Sequence, residues 1–141
     1  MTRAPDLPTR LRLVVTRLAR RLRQQAEAPL SPTQTAVLAT IDRRGPLTLG
    51  ELAEAERVQP PTITAAVGRL EHQGLVQRRR EPNDRRVVRV RVTADGAELL
   101  DQARSRKSAY LEQRLASLSA RERATLERAA SILEGILEER E

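Results

Sequence analysis

The spacing of the apolar residues changes at Gly74 from a helical to an alternating pattern, and this change limits the fold more than any other feature of the sequence. Before it, Ile63, Val67 and Leu70 recur at helical spacing. After it, valine occupies every second position of residues 88–92, with arginine between. The pattern predicts a helix that ends near Gly74 and is followed directly by strands.

Residues 75–93 are predicted to form an antiparallel hairpin, because Leu75 and Val76 begin a partner strand and Pro82-Asn83-Asp84 supplies a turn. Such pairing would line one outer face with arginines while the valines pack inward. Seven arginines lie within residues 78–93 and repel one another unless a polyanion supplies negative charge. A well-solvated loop is the alternative interpretation.

Helical spacing and helix-start signals predict five or six helices around this hairpin. A long amphipathic helix begins near Leu7 and ends by Pro29. Capping boxes at Ser31, Thr48 and Ser119 begin three further helices. The fold class is therefore mainly α with a small β-hairpin.

Two short helices in the middle of the chain have the proportions of a helix-turn-helix. The first begins after Thr48, and the second begins at Pro60-Pro61 after a tight link. Gly74 stands where a C′ glycine ends the second helix, with Leu75 as the accompanying hydrophobic contact. The hairpin that follows would be its wing.

The net charge of +7 is concentrated in the same region. Residues 57–93 carry nine basic and three acidic groups, a distribution typical of a nucleic-acid surface. All basic residues except Lys107 are arginines, which bind phosphate or guanine bidentately, although a GC-rich coding genome would also produce this bias. Tyr110 is the only aromatic residue, which argues against single-strand binding by base stacking.

Several classes of function are not indicated. The absence of cysteine removes thiolate and disulfide chemistry, and the single His72 makes no metal site. No glycine-rich phosphate loop or nucleophile–base pair is present, so we expect no enzyme and no cofactor. The lack of a long apolar run or signal segment predicts a cytoplasmic protein without a membrane partner.

Residues 84–96, with the sequence DRRVVRVRVTADG, resemble the signature of the MarR family of bacterial transcription regulators. The segments 58–64 and 69–76 are similar to that family's recognition-helix region, and the order of elements matches over nearly the whole chain. Val92 replaces the usual leucine, Ala65 stands where arginine is frequent, and Gly68 replaces a polar residue. These departures predict less guanine readout from the recognition helix.

The resemblance implies a homodimer with a winged helix-turn-helix in each subunit and a small-molecule effector that weakens DNA binding. Residues 1–30 and 98–141 would be dimerisation helices, and residues 31–97 the DNA-binding lobe. The apolar stripes of the first and last helices are too long for a small core to cover, which agrees with a dimer. The last helix is expected to turn five apolar residues inward, namely Leu126, Ala129, Leu133, Ile136 and Leu137.

Residues with a predicted DNA-binding role lie on the second short helix and the wing. Pro61, Thr62 and Thr64 would enter the major groove, with plain capping and solvation as the alternative. Arg69 would contact phosphate or pair with a carboxylate, and the wing tip would enter the minor groove. The arginines concerned in the wing are Arg85 and Arg86 at its tip, with Arg78 attracting phosphate more diffusely. Asp84 would cap the turn and hold an arginine.

The sequence therefore predicts a dimeric repressor of a pseudo-palindromic operator in double-stranded DNA. The effector would be anionic or amphipathic, because the pocket walls would be aliphatic and flanked by arginines; the residues of that pocket are not predicted. A non-specific architectural DNA-binding protein is one alternative. A dimeric interaction module that does not bind DNA is another.

Overall fold

The computed structural model describes residues 3–26 and 29–138. It contains six helices and one two-stranded hairpin, which confirms the predicted fold class. In chain order the elements are α1 (Leu7–Ala26), α2 (Pro32–Arg44), α3 (Leu49–Glu56), α4 (Pro60–His72), β1 (Val76–Arg80), β2 (Val88–Val92), α5 (Ala94–Leu115) and α6 (Ala120–Glu138).

The helix starts read from the sequence are formed as capping boxes. The hydroxyl oxygens of Ser31, Thr48 and Ser119 each accept a hydrogen bond at 3.1 Å from the backbone N–H three residues on. In each box the side chain of that later residue accepts a bond from the cap backbone in return. Each cap contributes about 1 kcal/mol and fixes where its helix begins.

The end of α4 sets the position of the wing. Gly74 has a φ of +75°. Its N–H donates to Glu71 O at 3.0 Å, and the N–H of Leu75 donates to Leu70 O at 2.9 Å. This pair of bonds is the Schellman motif, which favours glycine because of its positive φ. The chain therefore leaves α4 and enters β1 within three residues.

The hairpin is antiparallel, and its register corrects one prediction. Arg78 lies opposite Val90, and Arg80 lies opposite Val88. Residues directly opposite each other share a face of the sheet. These two arginines therefore lie on the valine face, not with Arg79 and Arg91 on the outer one. Arg78 is tolerated there because its guanidinium lies 3.3 Å from the carboxylate of Glu71. Arg80 is exposed, because it lies nearer the wing tip, opposite the half-buried Val88.

One hydrophobic core holds the middle of the chain together. Its fully buried members come from α2, α3, α4 and β2, and Leu100 of α5 joins them. The largest are Leu38, Ile41, Leu52, Ile63, Leu70, Val37, Val67 and Val90. Burial of each such side chain contributes about 1.5–3 kcal/mol, so this cluster fixes α4 and the wing on one lobe.

The start of α5 is joined to the root of the wing. Thr93 N–H donates to Leu75 O at 3.0 Å, and the Thr93 hydroxyl donates to Gly74 O at 2.7 Å. Gly96 packs directly over this point, where a Cβ atom would lie 2.2 Å from Leu75 O. The ends of α4 and β2 and the start of α5 therefore form one tight junction.

The outer helices leave apolar surface uncovered in the single chain. In α6, Leu126 is 48%, Ile136 54% and Leu137 76% exposed, so the prediction that they face inward is wrong within one chain. The described part of the helix has no buried residue, and the polar contacts that join it to α5 are made by Arg123, near its start. Ile132 of α6 is also exposed, and α1 has a longer set of exposed apolar side chains: Leu7, Leu11, Leu13, Val14, Val15 and Leu18. Apolar surface this extensive marks an interaction site.

Candidate nucleic-acid interface

The helix-turn-helix consists of α3, a short turn and α4. Arg57 makes the turn with φ +53° and ψ +44°, the left-handed conformation. The inner stripe of α4 is buried in the core, so its other side faces solvent. We call these exposed or half-buried residues the outer face of α4: Pro61, Thr62, Thr64, Ala65, Gly68 and Arg69.

The first turn of α4 has no free backbone donor. Pro60 and Pro61 lack an N–H, and the N–H groups of Thr62 and Ile63 both donate to Gln59 O, at 3.0 and 3.3 Å. Anion binding at a helix start normally uses such amides. Any contact made by this end of the helix therefore depends on its side chains.

Thr64 and Arg69 carry polar groups on the outer face of α4. The Thr64 hydroxyl donates to Pro60 O at 3.0 Å, which leaves its oxygen as an acceptor towards solvent. Arg69 is exposed, and no carboxylate of the described residues lies within 4.0 Å of its guanidinium. The carboxylate pairing considered for Arg69 is therefore not formed there, and its role in phosphate binding stays a prediction.

The wing tip is organised by Asp84. Its Oδ1 accepts hydrogen bonds from the backbone N–H of Arg86 at 3.1 Å and from Arg86 Nε at 3.3 Å. The Arg86 side chain nevertheless remains 94% exposed. Arg80 donates to the carbonyl of Arg85 at 3.4 Å from the neighbouring strand. The tip thus presents a held but accessible guanidinium beside a second exposed arginine.

Other carboxylates pair with arginines at the wing root. Arg78 lies 3.3 Å from Glu71 of α4. Arg89 lies between Glu81 and Glu51, with 3.1 Å from its Nη1 to Glu51 Oε1. The hydrogen bond that Arg89 donates to the Glu81 carboxylate, together with the negative charge of Glu51, raises the pKa of Arg89. The pairing of Arg89 with Glu51 was not predicted from the sequence, because the two residues are 38 positions apart and Glu51 was read only as part of the capping box at Thr48.

The positive charge of this lobe is only partly neutralised. Residues 57–93 contain nine arginines, and their three carboxylates pair with Arg78, Arg86 and Arg89. No carboxylate within the described residues pairs with the rest, namely Arg57, Arg69, Arg79, Arg80, Arg85 and Arg91. This accumulation of unpaired arginines on one lobe is the electrostatic surface that a polyanion requires.

We expect the folded lobe to become less stable in acid, because protonation removes the negative charge of Glu51. The pKa of Glu51 is lowered from its ordinary value of 4.5, mainly by hydrogen bonds with Thr48. The positive charge of Arg89 lowers it further. The unfolded chain then binds the proton more tightly, so this stability is present above the unfolded pKa and is lost as pH falls through the folded pKa. Glu51→Gln keeps a cap but not the charge. Denaturant unfolding between about pH 6 and 3 should show a smaller acid loss for Glu51→Gln than for the wild type.

The matched control for this measurement is Glu54→Gln, at an exposed position of the same helix. Its acid loss should follow that of the wild type. Parallel curves for the wild type and Glu51→Gln would contradict the assigned role of the Glu51 carboxylate.

No helix in the described part of the chain is both long and apolar enough to cross a membrane. Residues 3–26 and 29–138 also hold no group of three or more histidine, aspartate or glutamate side chains placed to bind a metal ion.

Comparisons with known proteins agree with this geometry. Residues 30–88 match the MarR family. The chain is 39% identical over 134 residues to an uncharacterized HTH-type transcriptional regulator of Mycobacterium bovis, with 94% of each chain covered. It is 37% identical over 99 residues to the multiple antibiotic resistance protein MarR of Salmonella typhimurium, covering 70% of this chain and 69% of that protein. The structure of a MarR family protein from Bacillus stearothermophilus superposes with a TM-score of 0.80 at 30% identity, covering 93% of this chain and 92% of the other.

Proposed function

The chain belongs to the MarR family of transcriptional regulators and not to a class of enzymes, and on that premise we propose that it is a dimeric repressor of a pseudo-palindromic DNA operator. The observation that carries the proposal is the accessible outer face of α4 on the same lobe as an arginine-rich wing. A helix with a solvent-facing side can enter the major groove, while unpaired arginines beside it attract the phosphate backbone.

Each predicted residue has a role in this arrangement. Pro61, Thr62 and Thr64 enter the major groove, and Arg69 binds phosphate from the same helix. In the wing, Arg85 and Arg86 enter the minor groove, where the negative potential is concentrated. Arg78 supports the phosphate attraction from the wing root. Asp84 acts on DNA only indirectly, because it holds Arg86.

The homodimer supplies the second half of the site. Residues 1–30 and 98–141 pair with their copies, and residues 31–97 bind DNA. The exposed apolar side chains of α1 and α6 support this division, since a second chain would cover them. Two-fold symmetry places the two copies of α4 about 34–36 Å apart, one turn of the double helix. Occupancy of a promoter by such a dimer blocks transcription.

A competition experiment tests the proposal against non-specific binding. The full chain is bound to its own upstream DNA and competed with random duplex of equal length. We expect a preference of roughly 10³-fold or more for the specific duplex. Equal competition by both duplexes would support an architectural protein instead. No binding to either would support an interaction module.

Removal of the wing-tip cation should weaken this binding. Arg86→Ala deletes the exposed guanidinium and is expected to lower operator affinity roughly ten-fold, a loss of about 1.4 kcal/mol. The slope of log K against log salt should fall by about two, because one cation–phosphate contact is lost from each subunit of the dimer. Titrations at several salt concentrations measure both quantities. Arg121→Ala, an exposed arginine of α6, should change neither.

Asp84→Asn separates orientation from charge at the tip. It keeps an oxygen that accepts the Arg86 N–H but removes the negative charge that pairs with the guanidinium. If Asp84 only reduced the local positive charge, this variant would bind DNA more tightly. The holding role predicts weaker binding.

We further propose that an anionic amphipathic effector weakens DNA binding from a cleft between the helices of the proposed dimer and the DNA-binding lobe. The cleft has a volume of about 360 Å³ and lies between α1, α2 and α5. Its lining combines three basic residues, Arg20, Arg23 and Lys107, with the apolar Ala26, Leu30, Pro32 and Ala103. Nearby, a hydrogen bond from Arg21 and the charge of Arg114 lower the pKa of Tyr110, which reflects positive potential at this helix junction.

Coupling requires that the ligand prefer one arrangement of the dimer. A ligand in this cleft contacts both α5 and the start of α2, so it would change the spacing of the two copies of α4. Benzoate and octanoate are suitable probes, and an operator titration in their presence should show weaker binding. Lys107→Ala should remove this effect without changing binding in their absence. An unchanged titration with both acids would contradict the proposed effector class.

A further inference from the structure

The first half of α4 carries no charged side chain, and this limits which bases it can read. From Gln59 to Gly68 there is no arginine, lysine, histidine, aspartate or glutamate. Guanine is most often read by a bidentate arginine or lysine on its O6 and N7 atoms. We propose that this half of the helix reads adenine–thymine pairs, an inference that rests on the proposed DNA-binding function.

Gln59 is the residue that would recognise adenine. It is the exposed N-cap of α4, and its side chain makes no capping hydrogen bond. Residues preferred at this position usually use their side chain to cap the first turn. The amide of Gln59 therefore keeps both a donor and an acceptor for a ligand. These two groups match adenine N7 and N6, which glutamine binds bidentately in the major groove.

Threonine and alanine side chains would recognise the paired thymine. Thr62 and Ala65 are exposed and three residues apart, so their methyl groups lie on one side of α4. Apolar contact with the C5 methyl distinguishes thymine from cytosine. The Thr64 hydroxyl donates its hydrogen to Pro60 O, so its oxygen can act only as an acceptor for a ligand. An acceptor suits the N6 amino group of adenine.

Gly68 removes bulk from the same surface. Apart from its chain neighbours and the backbone of its own helix, no atom of the described residues lies within 4 Å of the position that a Cβ would take, so internal packing does not require glycine there. Glycine also lowers helix stability relative to alanine. Its place on the outer face allows the helix backbone to approach the groove closely, bringing the short side chains of Thr62 and Ala65 within reach of the bases.

The test begins with selection of tight-binding duplexes from a randomised library by the full chain. In the best duplex, deoxyuridine replaces single thymidines and removes only the methyl group. Affinity should fall about three-fold at one or more positions of each half-site. Replacing single adenines by 7-deazaadenine removes the N7 acceptor and should lower affinity roughly ten-fold at the Gln59 position. The Gln59→Ala variant should be insensitive to that replacement.

Two further variants make the result specific. Ala65→Arg should shift the selected half-site towards guanine. Gln113→Ala, at an exposed position of α5, should keep every base preference of the wild type. Thermal unfolding of Gln59→Ala should match the wild type, since its side chain makes no capping bond.

The outcomes separate the inference from the proposed function. Enriched duplexes whose affinity responds neither to deoxyuridine nor to Gln59→Ala overturn the adenine–thymine reading, while specific binding stands. A library without any enrichment overturns the proposed function itself.

Discussion

Gly96→Ala is expected to lower the free energy of unfolding by about 3 kcal/mol, and the melting temperature by roughly 10 °C. The added methyl carbon would lie 2.2 Å from the backbone oxygen of Leu75 and 3.0 Å from Val92 Cγ1. The Leu75 backbone cannot yield easily, because its carbonyl oxygen already accepts a hydrogen bond from the Thr93 N–H. The substitution therefore separates α5 from the root of the wing. Denaturant and thermal unfolding measure the loss.

Gly50→Ala is the matched control for this prediction. At Gly50 the nearest atom to a new Cβ would be Thr48 Oγ1, at an ordinary contact distance of 3.9 Å. Alanine favours the helix by up to about 1 kcal/mol over glycine, so this variant should be at least as stable as the wild type. If Gly96→Ala were equally stable, the close packing of α5 on Leu75 would be wrong.

The double variant Ile132→Glu/Ile136→Glu should separate the dimer and lower operator affinity roughly 10²-fold or more. Ile132 is 66% and Ile136 54% exposed, and they lie four residues apart on one side of α6. Carboxylates buried between two chains lose hydration without gaining partners. A monomer also loses the advantage of two linked half-site contacts, which is worth about 10²–10⁴ in affinity. Sedimentation and DNA titration measure the two effects.

Ala130→Glu is the control for this interface. It adds a carboxylate at an exposed position on the opposite side of the same helix, so it should leave both mass and affinity unchanged. Circular dichroism should show folded protein in both variants, because α6 contributes nothing to the buried core. A double variant that sediments as a dimer would place the interface on another surface.

Local signals made much of this fold predictable from the sequence. Capping boxes and the C′ glycine act over a few residues, so the helix starts at Ser31, Thr48 and Ser119 and the turn at Gly74 are where the sequence placed them. The hairpin followed from alternation and a turn. The outer face of α4 followed from the spacing of its apolar residues.

Contacts between distant parts of the chain were not predictable in this way. The pairing of Arg89 with Glu51 joins residues 38 positions apart, and the faces of Arg78 and Arg80 depend on strand register. The exposure of Ile136 and Leu137 follows from the position of α6 outside the core. The inferred role of Gln59 could not be predicted from the sequence, because it depends on the absence of a side-chain capping bond, which only the structure shows.

The junction at Gly96 makes α5 a lever for the wing. Thr93 and Gly96 join the start of α5 to Leu75, and the buried Val90 joins the hairpin to the core, so a rotation of α5 would turn the hairpin together with α4 and the rest of the lobe. Five strand residues and the turn put the tip about 20 Å from this pivot. A rotation of about 10° then moves the tip by roughly 3 Å, about half the width of the minor groove. If the wing enters the minor groove as proposed, small angular changes at the far end of α5 would be enough to move its tip out of that groove.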